Sequence, residues 1–335
     1  MKTYKLMIIG AGPAGISLAA EARLAGLKAD EIIMVDKAET HSWVIRSLYP
    51  DKKLVTANYK GQSAVCHGVM CLMDSTKHEA ISYLDQAIEQ TGVKVNYEEK
   101  VLKIETLGDE NDPLFAVETK KSVYHANIVV IAIGIFGRPN KPDYKLSRKL
   151  KGRVHFDITS FEATSPERIL VVGGGDSASE FAQYLAEMGH DVTLSYRRES
   201  FGRMNSFNLE TITKMGANKQ VTLWMNSNIE ALKITDDQKP LVVFKENQYG
   251  EQVFDRVIYA LGGTTPENFL KVTGIQFDGD VPDLTSTGET TLHGLFVGGD
   301  LLAGKKGGSI AAAFNASRFT MEQICKGYLG CKNRA

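Results

Sequence analysis

A chain of 335 residues with 43% apolar and 24% charged side chains has the composition of an ordinary folded protein, which excludes wholesale disorder. Its formal net charge of −1 lacks the broad positive field of a nucleic-acid binder. At ~150 residues per domain, the length predicts roughly two domains.

The N-terminus has no cleavable apolar segment ahead of the strand-like Leu6–Ile9. The strongest apolar run, Ile128–Phe136, is far below the ~18 residues of a membrane span. The four cysteines, Cys66, Cys71, Cys325 and Cys331, are too few for a disulfide scaffold. A cytoplasmic protein with no membrane span is expected.

In chain order, the first signal is KLMIIGAGPAGISLAAEARLAG. Leu6–Ile9 reads as a buried strand, followed by GxGxxG at Gly10, Gly12 and Gly15 with Pro13 and Ala14 inside the loop. A small-residue helix then runs to about Leu24. Gly10 permits the tight turn, Gly12 a close approach to a pyrophosphate, and Gly15 close packing of helix on strand. The helix N-terminus offers unpaired N–H groups to the phosphates. The next strand, Glu31–Val35, ends at Asp36, a carboxylate placed to accept from both hydroxyls of a ribose. Strand, turn, helix, strand and acid in this order predict a dinucleotide site.

Cys66 and Cys71 follow as a Cx4C in CHGVMC. Free cysteine is among the most buried residue types, so the pair reads as inert core thiols. No second ligand pair follows, so no zinc site at Cys66, His67 and Cys71 and no other metal is expected. A helix is predicted over Lys77–Gln90, with Thr76 and Glu79 as a capping box and Ile81, Leu84 and Ile88 on one face. The seven histidines are scattered and read as surface or capping residues. Lys141, Lys145, Arg148, Lys149, Lys151 and Arg153 lie within thirteen positions, opposed by Asp143 alone. That run is a solvated face or a basic rim for an acidic partner.

The second block is RILVVGGGDSASEFAQYLAEMGHDVTLSYRRESFGR. Ile169–Val172 is a strand, Gly173, Gly175 and Ala178 give GxGxxA, and Asp176 and Ser177 open a helix that stops at Gly189. After the strand Asp191–Ser195, the acid's place is taken by Tyr196, followed by Arg197, Arg198 and, past Phe201–Gly202, Arg203. A carboxylate there would repel a 2′-phosphate, whereas guanidinium groups bind it in charge-assisted forks. This half predicts NADPH. The simplest chemistry for two bound dinucleotides is a hydride passed between a resident flavin and an exchangeable nicotinamide.

On these blocks, and on VVIAIG at Val129–Gly134, VIYALGG at Val257–Gly263 and TTLHGLFVGGD ending Gly298, Gly299 and Asp300, the chain resembles the thioredoxin-reductase-like flavoproteins over nearly its whole length. The resemblance implies an α/β fold of two Rossmann-like three-layer ββα domains. An NADPH domain, 139–262, would be inserted in a FAD domain, 1–138 and 263–335. It implies FAD on Gly10, Gly12, Pro13, Ala14, Gly15 and Asp36, with Gly134 at the return of the chain and Gly299 and Asp300 on the ribityl chain. A helix starting near Gly308–Ser309 and running through Ala316 would aim its N-terminus, at Ser309 and Ile310, at the pyrimidine end of the ring. NADPH would fall to Gly173, Gly175, Asp176, Ser177, Ala178, Arg197, Arg198 and Arg203. The resemblance also implies a homodimer.

The thioredoxin reductases of this group carry a CxxC shortly before the second glycine block. Here KGRVHFDITSFEATSPERILVV has no cysteine, and none occurs between Cys71 and Cys325. Related low-molecular-weight disulfide reductases place a cysteine in the first glycine fingerprint, where this chain has Ala14. The pattern, including YALGGTTPENFL, looks most like the ferredoxin–NADP and flavodoxin–NADP reductases of the bacterial flavodoxin:quinone reductase type. That implies an FAD-dependent NADPH oxidoreductase serving flavodoxin or ferredoxin, or quinones, with no thiol relay and no catalytic side chain. Tyr328 is the one aromatic residue past the last helix available to cover a flavin. Alternatives are a disulfide reductase using Cys66 and Cys71, a redox sensor, and an NADPH-dependent flavin monooxygenase. The monooxygenase fingerprint fits less well: Leu150 stands for its phenylalanine, and His155 falls three residues after Gly152.

Overall fold

The structure, a computed structural model, describes residues 2–49, 51, 54–55, 65–134, 139–158, 165–262, 267–279, 281–303 and 309–331. The chain divides into two compact units, Met1–Gly137 with Thr265–Ala335, and Arg138–Thr264. Parts of the linking stretches GIFGRP and GGTTPENF, and Gly308, lie outside the described residues.

The helices are α1 (Pro13–Leu24), α2 (Trp43–Leu48), α3 (Lys77–Thr91), α4 (Asp176–Glu187), α5 (Ser206–Ala217), α6 (Glu267–Val272), α7 (Asp300–Ala303) and α8 (Ile310–Ile324). In unit 1, the central sheet runs Lys94–Asn96, Ile32–Val35, Thr3–Ile9, Val123–Ile131, Phe115–Thr119, Val101–Thr106. The first four strands are parallel to their neighbours, and the last two pair antiparallel. Val123–Ile131 is shared along its length. Its first half pairs with Phe115–Thr119, and Val129–Ile131 takes Leu295–Val297 in parallel. Parallel strands covered on both faces need continuous apolar runs, and LMII, IIMV and IVVI supply them. Leu6 and Ile8 face a core shared with Leu18 of α1 and Met321 and Ile324 of α8. Met7 and Ile9 face the opposite core with Phe115, Val117 and Leu301.

Helix α3 begins where the capping box places it. Thr76 Oγ1 accepts from Glu79 N–H at 3.3 Å, and Glu79 Oε2 accepts from Thr76 N–H at 2.8 Å. Such a cap is worth ~1 kcal/mol. The helix ends at Gly92 in the left-handed conformation.

Unit 2 has a fully parallel sheet in the order Thr222–Met225, Asp191–Tyr196, Arg168–Val172, Arg256–Tyr259, Val154–His155. A second, antiparallel sheet of Ile229–Ile234, Pro240–Phe244 and Glu251–Val253 covers it through Leu232 and Val242, which meet Leu170, Val257 and Tyr259. Both units therefore place a glycine-loop strand between its successor and a returning strand, the Rossmann-like arrangement.

Candidate cofactor sites

The two glycine loops are built by the same bonds. Gly10 N–H donates to Val35 O at 2.8 Å, and Ala132 N–H on the returning strand donates to Ile9 O at 2.8 Å. In unit 2, Gly173 N–H donates to Ser195 O at 3.0 Å and Ala260 N–H to Val172 O at 2.8 Å. A Cβ on Gly10 would lie 2.4 Å from Ala132 O, and one on Gly173 2.4 Å from Ala260 O. Each loop thus leans directly on the carbonyl of its returning strand, which leaves no room for a side chain. At the third position, a Cβ on Gly15 would lie 1.9 Å from Gly10 O. Unit 2 is looser there and accommodates Ala178.

The helix starts differ in one instructive way. Thr76, Asn205 and Ser309 cap α3, α5 and α8 by accepting a first-turn N–H. Gly12 and Gly175 start α1 and α4 with no side-chain cap, and a Cβ on either would meet nothing within 4 Å. Both helix starts therefore have open space beside the glycine, the setting in which a pyrophosphate can accept from first-turn N–H groups.

Around the first loop, Asp36 Oδ2 accepts from Ala11 N–H at 2.6 Å and Oδ1 from Ala38 N–H at 2.7 Å. Each oxygen keeps a further lone pair for a ribose hydroxyl. Gly299 packs on Ala14, where its Cβ would come within 2.5 Å of the Ala14 Cβ. Ser317 Oγ of α8 donates to Ala14 O at 3.0 Å, so α8 also seats on the loop. Asp300 opens α7, Ser309 caps α8 with Ile310 as its first residue, and Gly134 lies two positions past Ala132. Tyr328 takes no part in this cluster. Its ring meets Phe296 edge-on at 6.1 Å and its hydroxyl donates to Glu289; burial, reinforced by that carboxylate, pushes the phenol up.

Around the second loop, Tyr196 is the last residue of its strand rather than the first beyond it. Its ring stacks on Phe201 at 5.4 Å and lies against Gly174, where a Cβ would be 2.0 Å from the ring. The acid's usual place is closed by this buried aromatic. Arg197 and Arg198 follow it, exposed and without an ion-pair partner among the described residues. Arg203 is brought back to the loop by a parallel backbone bridge to Gly175. Asp176 Oδ1 accepts from Asn205 N–H at 2.8 Å and from Asn208 Nδ2 at 3.0 Å, which folds the FGRMNS segment onto the start of α4. Ser177 remains exposed beside it.

The profile of the pyridine nucleotide-disulphide oxidoreductases matches residues 7–299. The chain belongs to this family. It is a pyridine-nucleotide-dependent oxidoreductase. A protein of Ignicoccus hospitalis named ferredoxin–NADP reductase is 26% identical over 311 residues, covering 92% of this chain and 93% of its own. The bacillithiol disulfide reductase of Staphylococcus aureus superposes with a TM-score of 0.81 at 22% identity, covering 98% of this chain and all of its own. Thioredoxin reductase of Lactococcus lactis superposes with a TM-score of 0.76 at 23% identity, covering 98% of this chain and 99% of its own.

For this member of the pyridine nucleotide-disulphide oxidoreductases, two expectations need correction. The cysteines are not inert core thiols. Cys66 is bonded to Cys71 and Cys325 to Cys331, with Cys66 exposed and Cys71 half-buried. Met70 and Leu72 take the buried positions of that loop, and the turn between the cysteines brings their Cα atoms to 5.5 Å. The histidines are not all at the surface or in caps. His41 and His190 are buried. His41 Nε2 lies 2.7 Å from Asp85 Oδ1, with Arg46 on the same carboxylate. Burial and the Arg46 charge hold the His41 imidazole below its ordinary range, against the pull of Asp85. Sequence reasoning missed Asn205 and Asn208, although Asn205 before a helix is a recognisable cap. Among the described residues no group of three or more His, Cys, Asp or Glu is placed to hold a metal.

Proposed function

We propose that unit 1 holds FAD, that unit 2 holds NADPH, and that electrons leave the flavin for a small acidic carrier, a flavodoxin or ferredoxin. The FAD pyrophosphate is assigned to Gly10, Gly12, Pro13, Ala14 and Gly15 at the open start of α1, and its ribose to Asp36. Gly134, Gly299, Asp300, Ser309 and Ile310 complete this half. The NADPH pyrophosphate is assigned to Gly173, Gly175, Asp176, Ser177 and Ala178, and its 2′-phosphate to Arg197, Arg198 and Arg203. FAD supplies the chemistry of accepting a hydride and releasing electrons one at a time. The protein supplies open helix termini for phosphates, guanidinium groups for the 2′-phosphate, and a surface for the carrier.

The observation that carries the acceptor assignment is the absence of any cysteine between Cys71 and Cys325, which leaves unit 2 without a thiol pair to relay electrons. It is supported by relatives spanning about nine-tenths of the chain whose name is ferredoxin–NADP reductase. Lys141, Lys145, Arg148, Lys149 and Lys151 are exposed on unit 2 without ion-pair partners among the described residues, a charge that complements an acidic carrier. Among the described residues no helix is long and apolar enough to cross a membrane, and a cytoplasmic homodimer is part of the same proposal.

The test is stopped-flow reduction by NADPH, followed by reoxidation with flavodoxin, ferredoxin, a quinone and thioredoxin in parallel. Fast reoxidation by flavodoxin or ferredoxin is expected. Reoxidation by thioredoxin alone would overturn the assignment.

A further inference from the structure

Unit 1 carries a second chemical feature that the nucleotide sites leave unused. The segment Val65–Met73 contains both Cys66 and Cys71 and no charged residue. Its backbone is held from outside the ring that the disulfide closes. His67 N–H donates to Asn315 Oδ1 at 2.8 Å, and Asn315 Nδ2 donates to Val65 O at 2.7 Å. Val69 N–H donates to Glu21 Oε1 at 2.5 Å, and Cys71 N–H to Tyr83 Oη at 3.0 Å. Met70 and Leu72 anchor the segment in the core. None of these hydrogen bonds uses a cysteine sulfur.

Two consequences follow. A bridge across so short a loop removes little chain entropy, so it is a weak staple. An opened pair also stays in place, because the backbone that positions both sulfurs is fixed independently. The surroundings of the exposed Cys66 are apolar as well. Met73 is 73% exposed and Val65 64%, with Val69 and Phe319 also at the surface. The His67 ring sits 5.4 Å from that of Phe319. The nearby Arg318 is committed to Glu21 at 3.6 Å and to Glu322, so it offers no free cation to a small anionic thiol.

We propose that Cys66–Cys71 is a thiol–disulfide exchange site for a protein dithiol with apolar surroundings. A partner thiolate attacks Cys66 Sγ, forming a mixed disulfide and breaking the Cys66–Cys71 bond, and Cys71 leaves as a thiolate. The partner's second thiolate then attacks the partner sulfur of the mixed disulfide and releases Cys66. The partner is oxidised by two electrons and the pair is reduced, and the partner's two thiol protons end on Cys66 and Cys71. The same steps in reverse oxidise the pair.

The test uses the oxidised full-length protein without NADPH, so it is independent of the electron-transfer reading. Two probe peptides carry the core Cys-Gly-Pro-Cys, one flanked by leucine and valine, the other by glutamate. Thiols are alkylated and mapped by peptide mass, which separates this pair from Cys325–Cys331. The expected result is native opening of Cys66–Cys71 by both dithiothreitol and the apolar peptide, with the glutamate peptide slower. Val69→Glu with Met73→Glu should slow the apolar peptide about tenfold, the loss of roughly one buried side chain, and leave dithiothreitol unchanged. Cys71→Ser, offered the apolar peptide in its disulfide form, should attack it through Cys66 and hold it as a mixed disulfide, the peptide's other cysteine leaving as a thiolate. The proposal is overturned if the pair opens only on unfolding, if the two peptides react alike, or if the double substitution leaves the apolar peptide's rate unchanged.

Discussion

Gly175 and Arg203 are joined by a backbone bridge, although a helix and a strand lie between them in the chain. The bridge fixes a third arginine beside the loop that Arg197 and Arg198 already flank. Charge-assisted hydrogen bonds contribute ~1.5–3 kcal/mol each. Arg197→Ala or Arg203→Ala should therefore lower kcat/KM for NADPH roughly tenfold to a hundredfold and change NADH use little. Steady-state kinetics with both nucleotides checks this. An equal loss with each would show that the arginines do not read the 2′-phosphate.

Gly12 and Gly15 make opposite predictions. A Cβ on Gly12 meets no protein atom within 4 Å, whereas one on Gly15 collides with Gly10 O at 1.9 Å. Gly12→Ala should keep its thermal midpoint as apoprotein and lose FAD affinity, because the methyl enters the space assigned to the pyrophosphate. Gly15→Ala should lose both, with overpacking costing on the order of 1–3 kcal/mol. Flavin absorbance after reconstitution and apoprotein melting separate the two. A Gly12→Ala protein that binds FAD normally would move the pyrophosphate elsewhere.

The four exposed lysines between Lys141 and Lys151, with Arg148, act on encounter rather than on chemistry. Carrier reduction should slow steeply as added salt shortens the Debye length from ~10 Å to ~3 Å. Reversing Arg148 and Lys149 to glutamate should slow it further and leave flavin reduction by NADPH unaltered. If rates with flavodoxin and ferredoxin ignore both changes, the carrier docks on another face.

His41 gives a pH prediction with a definite sign. Burial and Arg46 hold its folded value below the unfolded ~6.5, so the folded state prefers the neutral ring. The associated stability is complete above the unfolded value and is lost as pH falls through the folded one. His41→Gln, which cannot protonate, should flatten the fall in Tm between about pH 7 and 5. A variant whose Tm falls as steeply as the parent's removes His41 from the acid response.

What was legible in the sequence was local. Strand, glycine loop and helix follow one another within a few residues, so the loops at Gly10 and Gly173 could be read without knowing what packs on them. The capping box of Thr76 and Glu79 was legible for the same reason. Illegible features are closed by distant partners. Val65 and His67 are clamped by Asn315, which lies at the other end of the chain. Glu21 sits in a helix of small apolar residues and is nearly inaccessible, supported by Val69 N–H and Arg318. Burial statistics favoured core positions for Cys66 and Cys71. The neighbouring Met70 and Leu72 took those positions, a competition that composition does not resolve.

The interrupted layout of unit 1 has a consequence for the order of synthesis. Leu295–Val297 completes the edge of Val123–Ile131, and α8 packs on α1, so unit 1 lacks a strand and a covering helix until the last part of the chain has left the ribosome. Unit 2 is continuous and is free to close first. A ribosome-stalled chain ending just before Leu295 should resist protease across Arg168–Tyr259 while being cut throughout its first 130 or so residues. The first half of the molecule is then a client awaiting its own C-terminus, with Leu6, Ile8 and Leu18 open to solvent or to a chaperone for the whole time that unit 2 is being made.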